Sequence, residues 1–326
     1  MMKLKFKQLA LAAATMLAFV AGALAQEYPS KPVKIIVGYV PGGGPDFVAR
    51  SLGQKLTDIL GQPFVVENRP GAGATTATAQ VAKMPADGYT LLLGETGQLV
   101  IAPFIYKKLA YDPVKDFTPI SLVGTSSGML LVSNSKSSIK IIHDLLREVK
   151  ANPGKVDYGS SGIGSIHHIA MEVFKTDAGL NITHIPYKGS GQSINSILAG
   201  EVPVLITSVP AAASHIQAGS LNLLAVTSPN RMAAYPDTPS LSEIVKDYDY
   251  LSEMGLLAPA GLPPAVLARL SRAIKQAAES PDLLEAFKKN HYILKYTTSE
   301  EYAENLRRNL KKYERAVRIA KVPVNE

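Results

Sequence analysis

Several catalytic signatures are absent from this chain of 326 residues. It has no cysteine, which excludes disulfide bonds, thiol nucleophiles and thiolate metal sites. It lacks the GxxxxGK[S/T] pattern of a phosphate-binding loop and the HExxH pattern of zinc peptidases. The stretch from Gly159 to Ile163 is not a GxSxG hydrolase motif, because its fifth residue is isoleucine. Nucleotide-dependent enzymes and hydrolases therefore fit poorly, and we expect neither a metal nor a cofactor.

Long apolar runs are also scarce, and the clearest one lies at the N-terminus. Three lysines in the first seven residues precede an apolar stretch at 9–23, and an Ala-Leu-Ala sequence ends at residue 25. This pattern predicts a secretory signal peptide at 1–25 and an exported protein that starts at Gln26. A membrane anchor is the alternative, and it is disfavoured because the stretch is short and ends in small residues.

The charge balance is mildly basic and not concentrated. Basic residues outnumber acidic ones by 34 to 27, and losing the three lysines of 1–25 lowers the formal net charge from +7 to +4. The basic residues are scattered, with one cluster near the C-terminus. Nucleic acid usually requires a concentrated basic patch, so we do not expect it as a partner.

Strand-like and helix-like segments alternate along the chain. A β-rich run at 32–40 precedes a helical pattern at 46–60, which Gly61 ends, and similar pairs follow. The helix predicted at 138–152 has Ser137 or Ser138 as its cap. This order predicts an α/β fold with mainly parallel sheets, in two sets followed by a helical tail. Two such lobes would leave a cleft, where small ligands bind.

Two glycine-rich loops share one design, since each joins a strand to a helix. They lie at 40–46 and 159–168. Exposed N–H groups at a helix N-terminus attract anions, and serine hydroxyls in the second loop would add donors. One reading is a pair of tight turns; the other, which we favour for the pair, is a clamp on a carboxylate. Asp46 and Arg50 are expected to pair at the start of their helix.

Blocks of sequence closely resemble the Bug family, the extracytoplasmic solute receptors of tripartite tricarboxylate transporters. They span essentially the whole mature chain and include VGYVPGGGPDFVAR, GQPFVVENRPGAGATTATAQVAKMPADGYTLLLGETG and GSSGIGSIHHIAMEVF. The resemblance implies a type II periplasmic binding protein fold with two α/β lobes and a ligand cleft. Lobe I would comprise 26–124 plus 252–326, and lobe II would comprise 125–251.

The resemblance also implies a function and a set of ligand-binding residues. The protein would be a periplasmic, non-enzymatic, monomeric receptor that delivers a di-, tri- or aromatic carboxylate to a membrane permease. The candidate ligand-binding residues are Tyr39, Pro41, Gly42, Gly43, Asp46, Thr96, Gly97, Gln98, Ser160, Ser161, Gly162, Gly164, Ser165, His168, Tyr187 and Thr207.

The chain departs from the family pattern at several of these positions. Thr207 stands where the family often has an acid that can hold an ammonium group, so plain carboxylates are favoured over amino acids. Gln98 replaces a commoner threonine, and Tyr39 replaces a usual phenylalanine. A sensor module that presents bound ligand to a signalling partner, and a carboxylate-processing lyase on the same fold, stay open as alternatives.

Overall fold

The structure, a computed structural model, describes residues 28–322, and the predicted signal peptide lies outside them. The first α/β unit has β1 (Val33–Val37), α1 (Gly44–Leu60), β2 (Phe64–Asn68), α2 (Thr75–Val81), β3 (Thr90–Glu95), a π-helical turn (Gly97–Ile101), α3 (Ala102–Ile105) and β4 (Phe117–Ser126). The second unit has β5 (Met129–Asn134), α4 (Ile142–Ala151), β6 (Asp157–Ser160), α5 (Ile166–Asp177), β7 (Thr183–Pro186), α6 (Ser190–Ala199), β8 (Val204–Ser208), α7 (Val209–Gln217) and β9 (Leu221–Val226).

The chain then returns to the first unit. It adds β10 (Glu253–Pro259), α8 (Pro264–Ala278), α9 (Pro281–Lys289), β11 (Tyr292–Leu294) and α10 (Ser299–Ala320). The first sheet has the strand order β11-β4-β10-β3-β1-β2, and the second has β7-β6-β8-β5-β9. The chain crosses between the sheets at 127–128 and again at 227–252. The lobe boundaries at 124/125 and 251/252 stay a prediction.

The sheets are mixed, so the prediction of mainly parallel sheets is wrong. In the first sheet β1 is parallel to β2 and β3, but β10 is antiparallel to β3 and β4. In the second sheet β6 is parallel to β7 and β8, whereas β5 is antiparallel to β8 and β9. Strands β5 and β10 enter a sheet directly from a crossing, without the helical crossover that a parallel pair requires, and β11, which follows α9, is antiparallel to β4.

Local signals set several helix ends. Gly61 ends α1 in the left-handed conformation, with φ of 72°, and its N–H bonds to the Thr57 carbonyl. The predicted cap at Ser137 or Ser138 is wrong, because α4 begins at Ile142 after Ile141 in the N-cap position. The carboxylate of Asp144 accepts the N–H groups of Lys140 and Ile141 instead, so an acid three residues into the helix does the capping.

The core is continuous between the two units. Because neighbouring strand residues point to opposite faces, Ile35 and Ile36 are both fully buried, against different clusters. The cluster around Ile36 extends through α5 to Tyr302 on α10. The helix α10 packs on both α5 and β4. Each fully buried aliphatic side chain of this kind stabilises the fold by about 2 kcal/mol. Within residues 28–322, no helix combines the length and the apolar character needed to cross a bilayer.

Candidate ligand-binding cleft

A cleft of about 770 Å³ lies where the ends of strands from both sheets face each other. Its lining includes the loops after β1 and β6, the end of β3 and both sides of the first crossing. Among the described residues that line it, none is a lysine or an arginine. Apart from the imidazoles of His167 and His291, this lining offers a negative ligand neutral donors and helix dipoles.

The first glycine loop is fixed from behind by Asp46. The Asp46 carboxylate accepts the Gly42 N–H over 2.9 Å, the Arg50 guanidinium over 3.0 Å and the Asn68 amide over 3.0 Å. Burial opposes ionisation of Asp46, but the bonds from Arg50, Gly42 and Asn68 outweigh it and hold its pKa below the usual value. The predicted pairing of Asp46 with Arg50 is confirmed.

The second glycine loop is braced by two histidines, the buried His168 and the half-buried His184. Ser160 Oγ lies 2.7 Å from His184 Nε2 and accepts the Gly162 N–H over 3.1 Å. His168 Nδ1 accepts the Gly164 N–H over 3.2 Å, and its ring stacks on His184 with centroids 4.0 Å apart. Burial lowers the pKa of His168 to about 4 and that of His184 to about 3, so both rings are neutral at pH 7.

The hydroxyls of Ser160 and Ser165 form hydrogen bonds within this loop. Ser165 is the N-cap of α5: its hydroxyl donates to the Gly162 carbonyl over 2.7 Å and accepts the His168 N–H over 3.2 Å. Ser160 is fully buried and lies beneath the lining. The Ser165 hydroxyl proton is thus engaged within the loop, and ligand contact by Ser160 or Ser165 stays a prediction. Ser161 does line the cleft, and its Oγ lies 2.6 Å from His167 Nδ1.

Besides the short helices α2 and α3, which start in the lining at Thr75 and Ala102, four longer helices begin at the cleft. Their first residues line it: Gly44 of α1, Ile166 of α5, Ser190 of α6 and Val209 of α7. Amide N–H groups in a first helical turn have no carbonyl partner inside their helix and carry partial positive charge. Sequence patterns predicted α1 and α5 for this role. They identified α6 as a helix without assigning its start to the site, and they missed α7.

One acidic side chain that the sequence analysis missed also lines the cleft. Glu95 is 8% exposed, and its carboxylate accepts bonds from Tyr39 Oη over 2.7 Å, Gly97 N over 3.1 Å and Ser252 Oγ over 2.5 Å. With its amide nitrogen facing Tyr39, Gln98 donates to the tyrosine oxygen over 3.0 Å. Burial and the neighbouring Glu95 raise the pKa of Tyr39, which keeps this hydroxyl a donor.

Half of the predicted site residues line the cleft, and the rest lie behind it or beside it. The lining residues are Tyr39, Pro41, Gly42, Gly43, Gly97, Ser161, Gly164 and Ser165. The others are Asp46, Thr96, Gln98, Ser160, Gly162, His168, Tyr187 and Thr207. Ligand contact by any of these residues stays a prediction.

The residues outside the lining have structural neighbours of their own. Thr96 Oγ1 accepts the Glu253 N–H over 2.8 Å and so joins the end of β3 to the start of β10. Thr207 is buried on β8, and its hydroxyl has no hydrogen-bond partner within residues 28–322. Tyr187 is half-buried next to the end of β6, where its N–H bonds to the Ser160 carbonyl over 3.1 Å.

His167 also lines the cleft. Burial lowers its pKa to about 4. Glu172, on the same helix, accepts bonds from Tyr158 over 2.7 Å and from Lys175 over 2.9 Å. In the part of the chain that the structure describes, no group of three or more His, Asp or Glu side chains is arranged to hold a metal ion.

Two α/β units that face each other across a cleft, with helix N-termini converging on it, define the class of two-lobed solute-binding proteins. The chain belongs to the tripartite tricarboxylate transporter family of receptors, whose family model matches residues 48–321. This confirms the resemblance to the Bug family and the predicted fold class. The family consists of periplasmic solute-binding receptors rather than enzymes.

Relatives support the same assignment. Protein BugT of Bordetella pertussis is 37% identical over 265 residues, which is 81% of this chain and 81% of that protein. R. palustris Rpa4515, solved with adipate, is 28% identical with a TM-score of 0.82, over 91% of this chain and 99% of that one. MatC from Rhodopseudomonas palustris, solved with bound malate, is 25% identical with a TM-score of 0.77, over 89% of this chain and 100% of that one.

Proposed function

We propose that this protein captures a small organic carboxylate in the cleft between its two lobes and delivers it to a tripartite tricarboxylate-type permease. The observation that carries the proposal is the convergence of four helix N-termini on a cleft without lysine or arginine in its described lining. Such a site suits a compact anion, because amide N–H groups and dipoles hold the charge. Carboxylates in two relatives, adipate and malate, support this ligand class.

Binding would couple to closure of the lobes. The two glycine loops belong to different sheets, so a carboxylate that bonds to both favours the conformation in which they approach each other. Val40 and Ile163, at the tips of the two loops, are 62% and 53% exposed and line the cleft. Closure would remove both apolar side chains from water and add to the stability of the ligand-bound form.

The role is that of a periplasmic receptor and not of an enzyme. In this proposal the predicted signal peptide at 1–25 exports the chain, and the permease recognises the closed, liganded form. A sensor that presents the same closed form to a signalling partner is the second candidate. An uptake assay with labelled ligand, in cells with and without the gene, separates the two: loss of uptake on deletion supports delivery, and unchanged uptake supports sensing.

A thermal-shift screen followed by calorimetry tests the binding itself. The panel contains mono-, di-, tri- and aromatic carboxylates, with the matching uncharged amides as controls. One class is expected to stabilise the protein by an amount that rises with the logarithm of the ligand concentration and reaches about 4 kcal/mol at 1,000 times the Kd. No stabilisation by any carboxylate would overturn the proposal. So would conversion of the bound carboxylate to a product, detected by mass spectrometry, because that would make the protein an enzyme.

A further inference from the structure

We propose that Glu95 receives a positively charged nitrogen group of the ligand, so that the preferred ligand is a carboxylate that also carries an ammonium group. This inference rests on the proposed function, since it presupposes that a carboxylate binds in the cleft. It assigns a specificity-determining role to a residue that no sequence pattern singled out.

Glu95 lines the cleft close to both chain crossings. It is the last residue of β3, and Ser252, which ends the second crossing, donates to its carboxylate. The Ser252 N–H in turn bonds to Ser126 Oγ over 3.0 Å, at the start of the first crossing. The glycine loops and helix N-termini line the same cleft, so the Glu95 carboxylate and the partial positive charges of the helix N-termini border one space.

The Glu95 carboxylate accepts hydrogen bonds from the protein, but none of its described hydrogen-bond donors is a cation. Its three donors, the hydroxyls of Tyr39 and Ser252 and the Gly97 N–H, are all uncharged. Burying a carboxylate is costly unless it is paired or hydrogen-bonded, and pairing with a cation is the stronger compensation. A carboxylate has about four acceptor positions for three donors here, so one remains for a ligand.

The arrangement selects between ligands of equal size. A ligand with a carboxylate toward the glycine loops and an ammonium toward Glu95 matches the sign of charge at both ends. A second carboxylate placed near Glu95 would instead be repelled. The sequence favoured plain carboxylates because Thr207 is not an acid. The structure buries Thr207 outside the lining and supplies an acid at a different strand end.

Calorimetry on matched ligands tests the proposal in the wild-type protein. The probes are succinate, malate and aspartate, which differ at one carbon by hydrogen, hydroxyl or ammonium, and the pair glutarate and glutamate. We expect each amino acid to bind about tenfold more tightly than its plain counterpart, with malate between succinate and aspartate. Equal or tighter binding of succinate and glutarate would overturn the role of Glu95.

Glu95→Gln provides the second arm, because it keeps the size of the side chain and removes its charge. We expect aspartate and glutamate to lose about tenfold in affinity, while succinate and glutarate change by less than about threefold or gain. Glu201→Gln, an exposed acid on the second unit, is the matched control and should change nothing. Equal loss for plain and amino ligands would make Glu95 structural and overturn the proposal.

The outcomes separate this inference from the proposed function. If plain carboxylates bind and the amino preference is missing, the inference alone fails. If none of the five probes and no member of the wider carboxylate panel binds, both fail. If Glu95→Gln does not fold, the order of the three four-carbon ligands in the wild-type protein decides, because it requires no substitution.

Discussion

The carboxylate of Asp46 accepts the backbone N–H of Gly42 over 2.9 Å, so the first turn of α1 holds the loop that precedes it. We expect Asp46→Asn to lower the free energy of unfolding by about 1–3 kcal/mol, because it removes a charge-assisted acceptor from three donors. It should also weaken carboxylate binding several-fold by loosening Gly42. Urea denaturation and calorimetry measure the two effects. Asp58→Asn, an exposed acid on the same helix, is the control; an equal effect there would remove the special role of Asp46.

Gly164 has a conformation and a position that a side chain cannot share. Its φ is 75°, and an added Cβ would lie 2.6 Å from Ile105 Cδ1 across the cleft. We therefore expect Gly164→Ala to weaken carboxylate binding by about tenfold or more, since it displaces the loop. Gly200→Ala is the matched control, because Gly200 has a φ of 81° with no atom near its Cβ position and lies outside the lining. It should cost stability without changing the Kd; unchanged binding in Gly164→Ala would contradict the clamp.

Stability should fall as the pH falls from about 6.5 to about 4. In the unfolded chain histidine titrates near 6.5, whereas burial lowers the pKa of His167 and His168 to about 4. Between these values the unfolded chain binds more protons, so acid favours unfolding, by roughly 1 kcal/mol per pH unit for each histidine. His168→Gln should make the pH dependence of urea denaturation shallower. His143→Gln, at an exposed position, is the control and should leave the pH dependence unchanged. A shallower dependence in His143→Gln but not in His168→Gln would contradict the role of the buried histidine.

Close packing between β10 and α10 should make Gly255 intolerant of any side chain. An added Cβ would lie 2.3 Å from Cζ of Tyr302, which is buried. We expect Gly255→Ala to lower the free energy of unfolding by about 1–3 kcal/mol through overpacking. Gly191→Ala, on α6 with no atom within 4 Å of its Cβ position, should be neutral or stabilising. Denaturation midpoints compare the two, and a neutral Gly255→Ala would show that Tyr302 can move.

Features that depend on neighbours in sequence were predictable from the sequence. The start of α1, its end at Gly61 and the pairing of Asp46 with Arg50 each involve residues within a few positions of one another. The helix at Val209–Gln217 was missed for a related reason. Its residues continue the apolar run of β8, and periodicity cannot separate a short buried helix from a strand.

The sequence alone determined the family, the α/β alternation and the two glycine loops, because those signals are local and repeated along the chain. Only the tertiary structure decided that Glu95 lines the cleft while Asp46 and His168 lie outside its lining. Glu95 meets Tyr39 from 56 residues away and Ser252 from 157 residues away. Contacts of that range exist only after β1, β3 and β10 have assembled side by side, and no local pattern of residues specifies them.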